Sequence, residues 1–355
     1  MKTFFKSLLF LSLALFAVSC EPDDDFLPPS PPAIDMGQPR YLAAYDGKVY
    51  VSYYNGYVAR IDTSTFEIEA TVKVGRNPEQ LTVCDGKIYV ANSGGMDWNT
   101  ELGYDNTVSV IDVETFSEAD RLEVVINPAV IAAADNGVFL ASYGDYGAVP
   151  GTLQFIGKDG SVSVVEACPK MTEICYSNGI LYGFFSQYDA NWNAIITYMS
   201  YNPANGAVDS PWIKEDFLPV PYKVCTAGDY VCVTSSDYTN DGDVYAYDNS
   251  GKLVHCIPAG LNPIKVVSVA DVKEKSPVYY VLNSGDWKTG NSSLTKYDSA
   301  TGAVEQNFFE SQNGRCLGNT ANDIIVYGSK MYIAVAGEST IEVVDLDAKS
   351  LKQVE

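Results

Sequence analysis

Histidine is nearly missing from this chain: among 355 residues, His255 is the only one. That scarcity removes Ser-His-Asp triads, Cys-His pairs and histidine-based zinc sites from consideration. In KLVHCIPAG, His255 falls on a predicted outer strand, where it packs or faces solvent. Positive charge is also short, with 23 Lys and Arg against 45 Asp and Glu, a net charge of −22. Such a surface repels phosphate backbones and makes nucleic acid a poor partner, while acidity alone confers only solubility. Long apolar runs are absent too. The longest, Leu8–Val18, has roughly a dozen residues, too few to span a bilayer core. Beyond Cys20, the cysteines Cys84, Cys168, Cys175, Cys225, Cys232, Cys256 and Cys316 match no metal-ligand spacing, and buried free thiols are the expectation. Cys225 and Cys232 flank a predicted hairpin and are the pair to test first for a disulfide. Gly94-Gly95 is followed by no helix and is not a phosphate cradle. Asn240-Asp241-Gly242-Asp243 lacks the closing Glu of a calcium loop and reads as a turn.

What is present begins with an export signal. Lys2 and Lys6 precede the apolar run, and residues 1–19 read as a signal peptide. Ala17-Val18-Ser19-Cys20 resembles the bacterial lipobox, which implies lipidation of Cys20. Residues 20–37 then carry an acidic cluster, Glu21 to Asp25, and a Pro-rich stretch expected to act as an extended tether.

From residue 38 to 355 one frame recurs. KIYVANSG…DNTVSVIDVET at 87–115 has weaker counterparts at 48–65, 279–301 and 330–347. Seven units follow: Gln38–Asn77, Pro78–Asn127, Pro128–Lys170, Met171–Val220, Pro221–Asn262, Pro263–Gly318 and Asn319–Glu355. Val, Ile, Tyr and Thr dominate them, tight-turn pairs such as Asp46-Gly47, Asp85-Gly86 and Asn178-Gly179 separate them, and each has room for about four strands. The expectation is an all-β, seven-bladed β-propeller. Ring closure has two candidates, Ala33–Met36 or Ser350–Val354 as the strand completing the last blade.

In a propeller, the loops joining second to third strands emerge on the same face as those joining one blade to the next. Tyr and Trp gather in the first set. Unit one offers Tyr53, Tyr54 and Tyr57; unit two Met96, Asp97, Trp98 and Tyr104; unit three Tyr143, Asp145 and Tyr146. Unit four offers Tyr188, Asn191 and Trp192, unit five Asp237 and Tyr238, and unit six Asp286 and Trp287. The between-blade loops add Arg40, Arg76, Asn77, Asn127, Lys223, Asn262 and Asn319 nearer the axis. Any one of these aromatics is as readily a cap on its own blade as a ligand contact. A ring of them beside Asn and Asp suits a large, flat, amide-fringed ligand. The 25 tyrosines fit either half-wet strands or such a binding surface.

The repeat resembles that of the YVTN and YncE-type surface propellers across nearly the whole mature chain. With the lipobox and acidic tag, it is most similar to the BtuG-type corrinoid-binding surface lipoproteins of Bacteroides. The resemblance implies a non-enzymatic protein without a resident cofactor, lipid-anchored in the outer membrane and facing the cell exterior. It would capture a corrinoid (cobalamin or cobinamide) and pass it to a TonB-dependent transporter. Asp97, Asp105, Asp145, Asp237 and Asp286 would then complement the positive metal-ring centre, while His255 is badly placed as an axial ligand. A glycan- or protein-binding propeller is the alternative. The abundant carboxylates also keep a propeller lactonase or lyase open.

Overall fold

Strand-forming runs broken by two-residue turns build seven antiparallel sheets, each of four strands consecutive in sequence. At Asp46-Gly47, Asp85-Gly86 and Asn178-Gly179 both turn residues have positive φ, the mirror-image turn that suits twisted strands. The computed structural model describes residues 37–355 apart from Ala190, Trp192, Leu218 and residues 271–275. The signal segment, Cys20, the tether and Ala33–Met36 therefore lie outside the described residues, as does Trp192.

The first strand of every sheet touches the first strands of its neighbours, and the seventh touches the first. These inner strands are Pro39–Tyr45, Pro78–Cys84, Pro128–Ala134, Glu173–Ser177, Pro221–Ala227, Pro263–Ala270 and Ala321–Tyr327. They ring an axis and the sheets radiate from it: a seven-bladed β-propeller. Each sheet falls inside one of the seven sequence units. Five inner strands open on proline, whose missing N–H is tolerated at a strand's first position.

Ser350–Val354 is the outer strand of blade 7. Polar side chains tie that blade to blade 1. Asp323 Oδ2 accepts from Leu42 N at 2.8 Å, the Tyr327 hydroxyl accepts from Gly47 N at 2.7 Å, and Asn322 Nδ2 donates to Pro39 O at 3.3 Å.

Seven apolar clusters fill the seven blade interfaces. Tyr50, Tyr53, Tyr198, Tyr247, Tyr279, Tyr280 and Tyr332 are among the largest buried side chains. Much of the tyrosine excess is thus inter-blade core. Tyr53, expected on the ligand face, is one of these: it is fully buried between blades 7 and 1. Strand alternation points it at the neighbouring blade instead of the loop above.

Candidate ligand-binding face

At the end of the ring where second strands hand over to third strands, the loops of blades 2, 3, 5 and 6 share one construction. A glycine narrows the neck, an aspartate locks the turn, and an aromatic residue is turned outward. Gly144 (φ 69°) shows why the neck needs glycine: a Cβ there would lie 2.1 Å from Val149 O. Asp145 Oδ1 then accepts from Gly147 N and Val149 N, both at 2.8 Å. Asp237 Oδ1 accepts from Thr239 N at 2.8 Å and Asn240 N at 2.7 Å, and Asp286 Oδ1 from Lys288 N at 2.9 Å. In blade 2, Asp97 pairs instead with Arg76 at 2.7 Å. The residue after each aspartate is aromatic and bare: Trp98, Tyr146, Tyr238 and Trp287 are 61, 77, 69 and 70 % exposed. Tyr146 and Tyr238 also hold positive φ, 57° and 64°, which costs a side-chain-bearing residue about 1 kcal/mol.

Asparagines clamp these loops from the blade junctions. Asn77 Nδ2 donates to Tyr54 O (3.0 Å) while its Oδ1 accepts from Met96 N (3.1 Å). Asn127, Asn262 and Asn319 donate to Gly144 O, Gly285 O and Trp287 O at 3.1, 2.9 and 2.9 Å. Two expectations change here. The side-chain amides of Asn77 and Asn127 are occupied in holding loops. The aspartates expected to face a cationic ring centre serve as internal locks, Asp105 among them through Arg76 N and Thr107 Oγ1.

Two adjoining hollows lie inside this rim. One, about 610 Å³, lies over blade 4 between two tyrosine pairs and includes Phe184, Glu173 and Lys223. The pairs are Tyr143 with Tyr146 (ring centroids 6.5 Å apart) and Tyr222 with Tyr238 (5.4 Å, edge-on). The other, about 280 Å³, sits at the channel mouth and includes Arg40, Glu79, Tyr104 and Asn127; both share Tyr143, Tyr146 and Lys223. Beneath them the axial channel, about 480 Å³, receives residues from all seven blades.

Three inter-blade ion pairs line this region: Arg40–Glu79 at 2.7 Å, Lys223–Glu173 at 2.7 Å and Lys265–Asp323 at 2.5 Å. Burial opposes the charge on Lys223, but Glu173, with Tyr143 and Tyr41 beside it, more than offsets that and raises its pKa well above the ordinary value. Burial also pushes Tyr41 up to about 12, and Tyr143, which donates to Glu173 at 2.5 Å, is raised by burial and by that carboxylate. The mouth is therefore charged yet internally neutralised, on a protein whose surface is strongly acidic.

Of the residues singled out in the sequence, Arg40, Tyr104, Asn127, Tyr143, Tyr146, Lys223 and Tyr238 converge on the hollows. Met96, Trp98 and Trp287 stand exposed on the same end but line neither hollow. Tyr54 stacks under Arg40 (4.9 Å), and Tyr57 starts the third strand of blade 1, half-buried opposite Tyr53. Arg76 clamps the blade 2 loop through Asp97 and Gly103 O. Tyr188 ends a strand at the same rim. His255 lies at the opposite end, packed among Tyr230, Tyr279 and Tyr297. The seven cysteines from Cys84 onward are free thiols, with Cys225 directly opposite Cys232 in register. Sequence reasoning missed Tyr41, Glu79, Glu173 and Tyr222. Their signal was a polar or aromatic residue just inside otherwise apolar inner strands, as in PEQL, TEI and PYKV.

No protein-family model matches the chain, and no curated protein sequence does either. Among solved structures, the dihydro-heme d1 dehydrogenase NirN in complex with DHE aligns at 14% identity with a TM-score of 0.53, over 89% of this chain and 65% of that one. The computationally designed Ika8 protein aligns at 13% identity and 0.52, over 90% and 87%. The hydrazine synthase of Kuenenia stuttgartiensis aligns at 16% identity and 0.44, over 91% and 80%. At such identities the first two speak to architecture alone, and what this chain shares with them is the β-propeller fold.

Proposed function

We propose that this propeller is a binding protein whose loop end captures a corrinoid. The observation that carries the proposal is the pair of bare tyrosines, Tyr146 and Tyr238, held in left-handed backbone on glycine- and aspartate-locked loops. Their own burial does not repay that conformation; a flat apolar ligand stacked between them does. The hollows they flank offer Arg40 and Lys223 as donors and Glu79 and Glu173 as acceptors, a set suited to the amides around a corrin. Capture is favoured over turnover because these ionisable groups neutralise one another instead of standing free as acid or base. In this reading Cys20 tethers the protein to the outer membrane, and the ligand passes to a TonB-dependent transporter.

The test is colour. Purified protein is mixed with cyanocobalamin and desalted, and the visible spectrum of the protein fraction is read. Co-eluting corrinoid absorbance at one equivalent supports the proposal. A colourless fraction removes the corrinoid and leaves the aromatic rim to a glycan or protein partner.

A further inference from the structure

A cavity of about 540 Å³ opens at the other end of the ring, between blades 3 and 4. Phe139, Phe155, Tyr176 and Tyr201 form its walls, with Asp135 and Glu166 exposed at its edge, and no Lys, Arg or His among the described residues lines it. Phe139 is buried as the floor, with the rings of Phe155, Tyr176 and Tyr201 centred 4.9, 6.0 and 6.3 Å away. Tyr176 donates to Asp135 Oδ2 at 3.4 Å, which holds that carboxylate against the aromatic wall.

Other blade interfaces show what is missing. In blades 1 and 2, the turn between third and fourth strands places a phenylalanine in left-handed backbone, Phe66 (φ 60°) and Phe116 (φ 46°). Each ring fills the cleft toward the preceding blade, Phe116 against Tyr50 at 5.9 Å and Phe66 among the blade 7 and blade 1 core. A cation covers each ring: Arg60 over Phe116 at 4.7 Å and Lys330 over Phe66 at 5.2 Å. Between blades 6 and 7, the helix Phe308–Asn313 supplies two rings, under Lys296 (4.6 Å) and Arg315 (5.0 Å).

Blade 4 has the same turn. Gly206 N donates to Asn202 O at 2.8 Å, as Phe66 N does to Asp62 O at 2.8 Å. Its left-handed residue is glycine, however (φ 74°), and a Cβ there would meet nothing within 4 Å. The outer strand of blade 3, Val162–Val164, has three residues where that of blade 2, Ser117–Glu123, has seven. Among the described residues the turn thus supplies neither a ring to this cleft nor the cation that covers such a ring elsewhere, and the cleft carries two carboxylates at its edge.

We infer a second binding site here, for a small arylalkylamine: its ring occupies the place Phe116 takes between blades 1 and 2, and its ammonium faces Asp135 and Glu166. Aromatic walls attract a cation through their negative faces, and the carboxylates add charge complementarity. The site is independent of any role of the loop end.

The test titrates 2-phenylethylamine into the full chain by calorimetry and saturation-transfer NMR, with 3-phenylpropionate as the anionic control. The amine is expected to bind saturably and about tenfold more tightly than the carboxylate. Gly206→Phe, whose left-handed backbone matches that of Phe66 and Phe116, should fill the cavity and abolish binding in a variant shown to be folded by circular dichroism. Asp135→Asn combined with Glu166→Gln should weaken the amine about fivefold and leave the anion no weaker; this pair decides the matter if Gly206→Phe does not fold. The proposal is overturned by no saturable amine binding up to about 10 mM, near the limit for a fragment of this size. Equal binding of amine and carboxylate, or full binding in folded Gly206→Phe, overturns it too.

Discussion

Replacing Tyr146 with glycine separates what its ring does for the fold from what it does for a ligand. Glycine relieves the left-handed backbone at φ 57°, a gain of about 1 kcal/mol. It also loosens the unfolded chain, which returns about 0.5–1 kcal/mol. The terms nearly cancel, so thermal stability should move by no more than about 0.5 kcal/mol, as for most exposed sites. Binding behaves differently. The side chain is 77 % exposed, and stacking one ring face against a flat ligand covers about 80–100 Å², worth about 2 kcal/mol. Fixing the ring costs about 0.5 kcal/mol, which leaves about 1.5 kcal/mol, or roughly tenfold in Kd. Tyr238→Gly (φ 64°, 69 % exposed) should behave alike, and the double variant should lose about a hundredfold. Calorimetric titration with cyanocobalamin, beside thermal denaturation of the same samples, reads both quantities. A stably folded double variant that binds within about threefold of the parent would refute the reasoning.

Other substitutions and conditions probe the rest. Tyr53→Phe removes a buried hydroxyl that has no partner among the described residues, so stability should rise by about 1 kcal/mol with ligand affinity unchanged; weakened binding would return Tyr53 to the site. Asp323→Ala strips the carboxylate that holds Lys265 and Leu42 N, and leaves the Lys265 charge unpaired in the channel. A loss of about 3–5 kcal/mol in urea denaturation is expected, and a change under about 1 kcal/mol would contradict the role given to this carboxylate, which joins blade 7 to blades 6 and 1. Asp237 accepts from Asn240 and Thr239, which lowers its pKa to about 2. Because the folded value lies below the unfolded carboxylate value of about 3.9, its contribution to the loop is complete above about pH 4 and is lost as pH falls through 2. A carboxyl NMR titration of Asp237 with a midpoint near 3.9 would show that the lock does not form.

The architecture was legible because it repeats. Asp-Gly and Asn-Gly turns, entry prolines and β-branched runs recur from unit to unit, five of the seven inner strands opening on proline, so a weak local signal becomes a strong periodic one, and the seven unit boundaries contain the seven sheets. The site was legible only in part. Loop position placed Tyr146 and Tyr238 on the second-to-third-strand loops, where they stand exposed, but composition does not distinguish a tyrosine above a loop from one between blades. Tyr53 is one residue from Tyr54, and that step turns the side chain from the rim into the core. The roles of aspartate and asparagine were misjudged for a related reason: short polar side chains bond first to backbone amides nearby. The recurring Asp-aromatic dipeptides at 97–98, 145–146, 237–238 and 286–287 were visible throughout, but only the geometry shows aspartate as lock and ring as display. Glu173 escaped notice because its partner Lys223 lies 50 positions away and the two meet only when blades 4 and 5 do.

Hydrogen–deuterium exchange with and without saturating cyanocobalamin tests the capture site most directly. The account predicts slowed exchange in residues 143–151 and 236–243 and at the start of the Pro221–Ala227 strand, with the turns at the opposite end unchanged. Protection confined to those opposite turns, or none anywhere on a protein that carries the ligand, would contradict it.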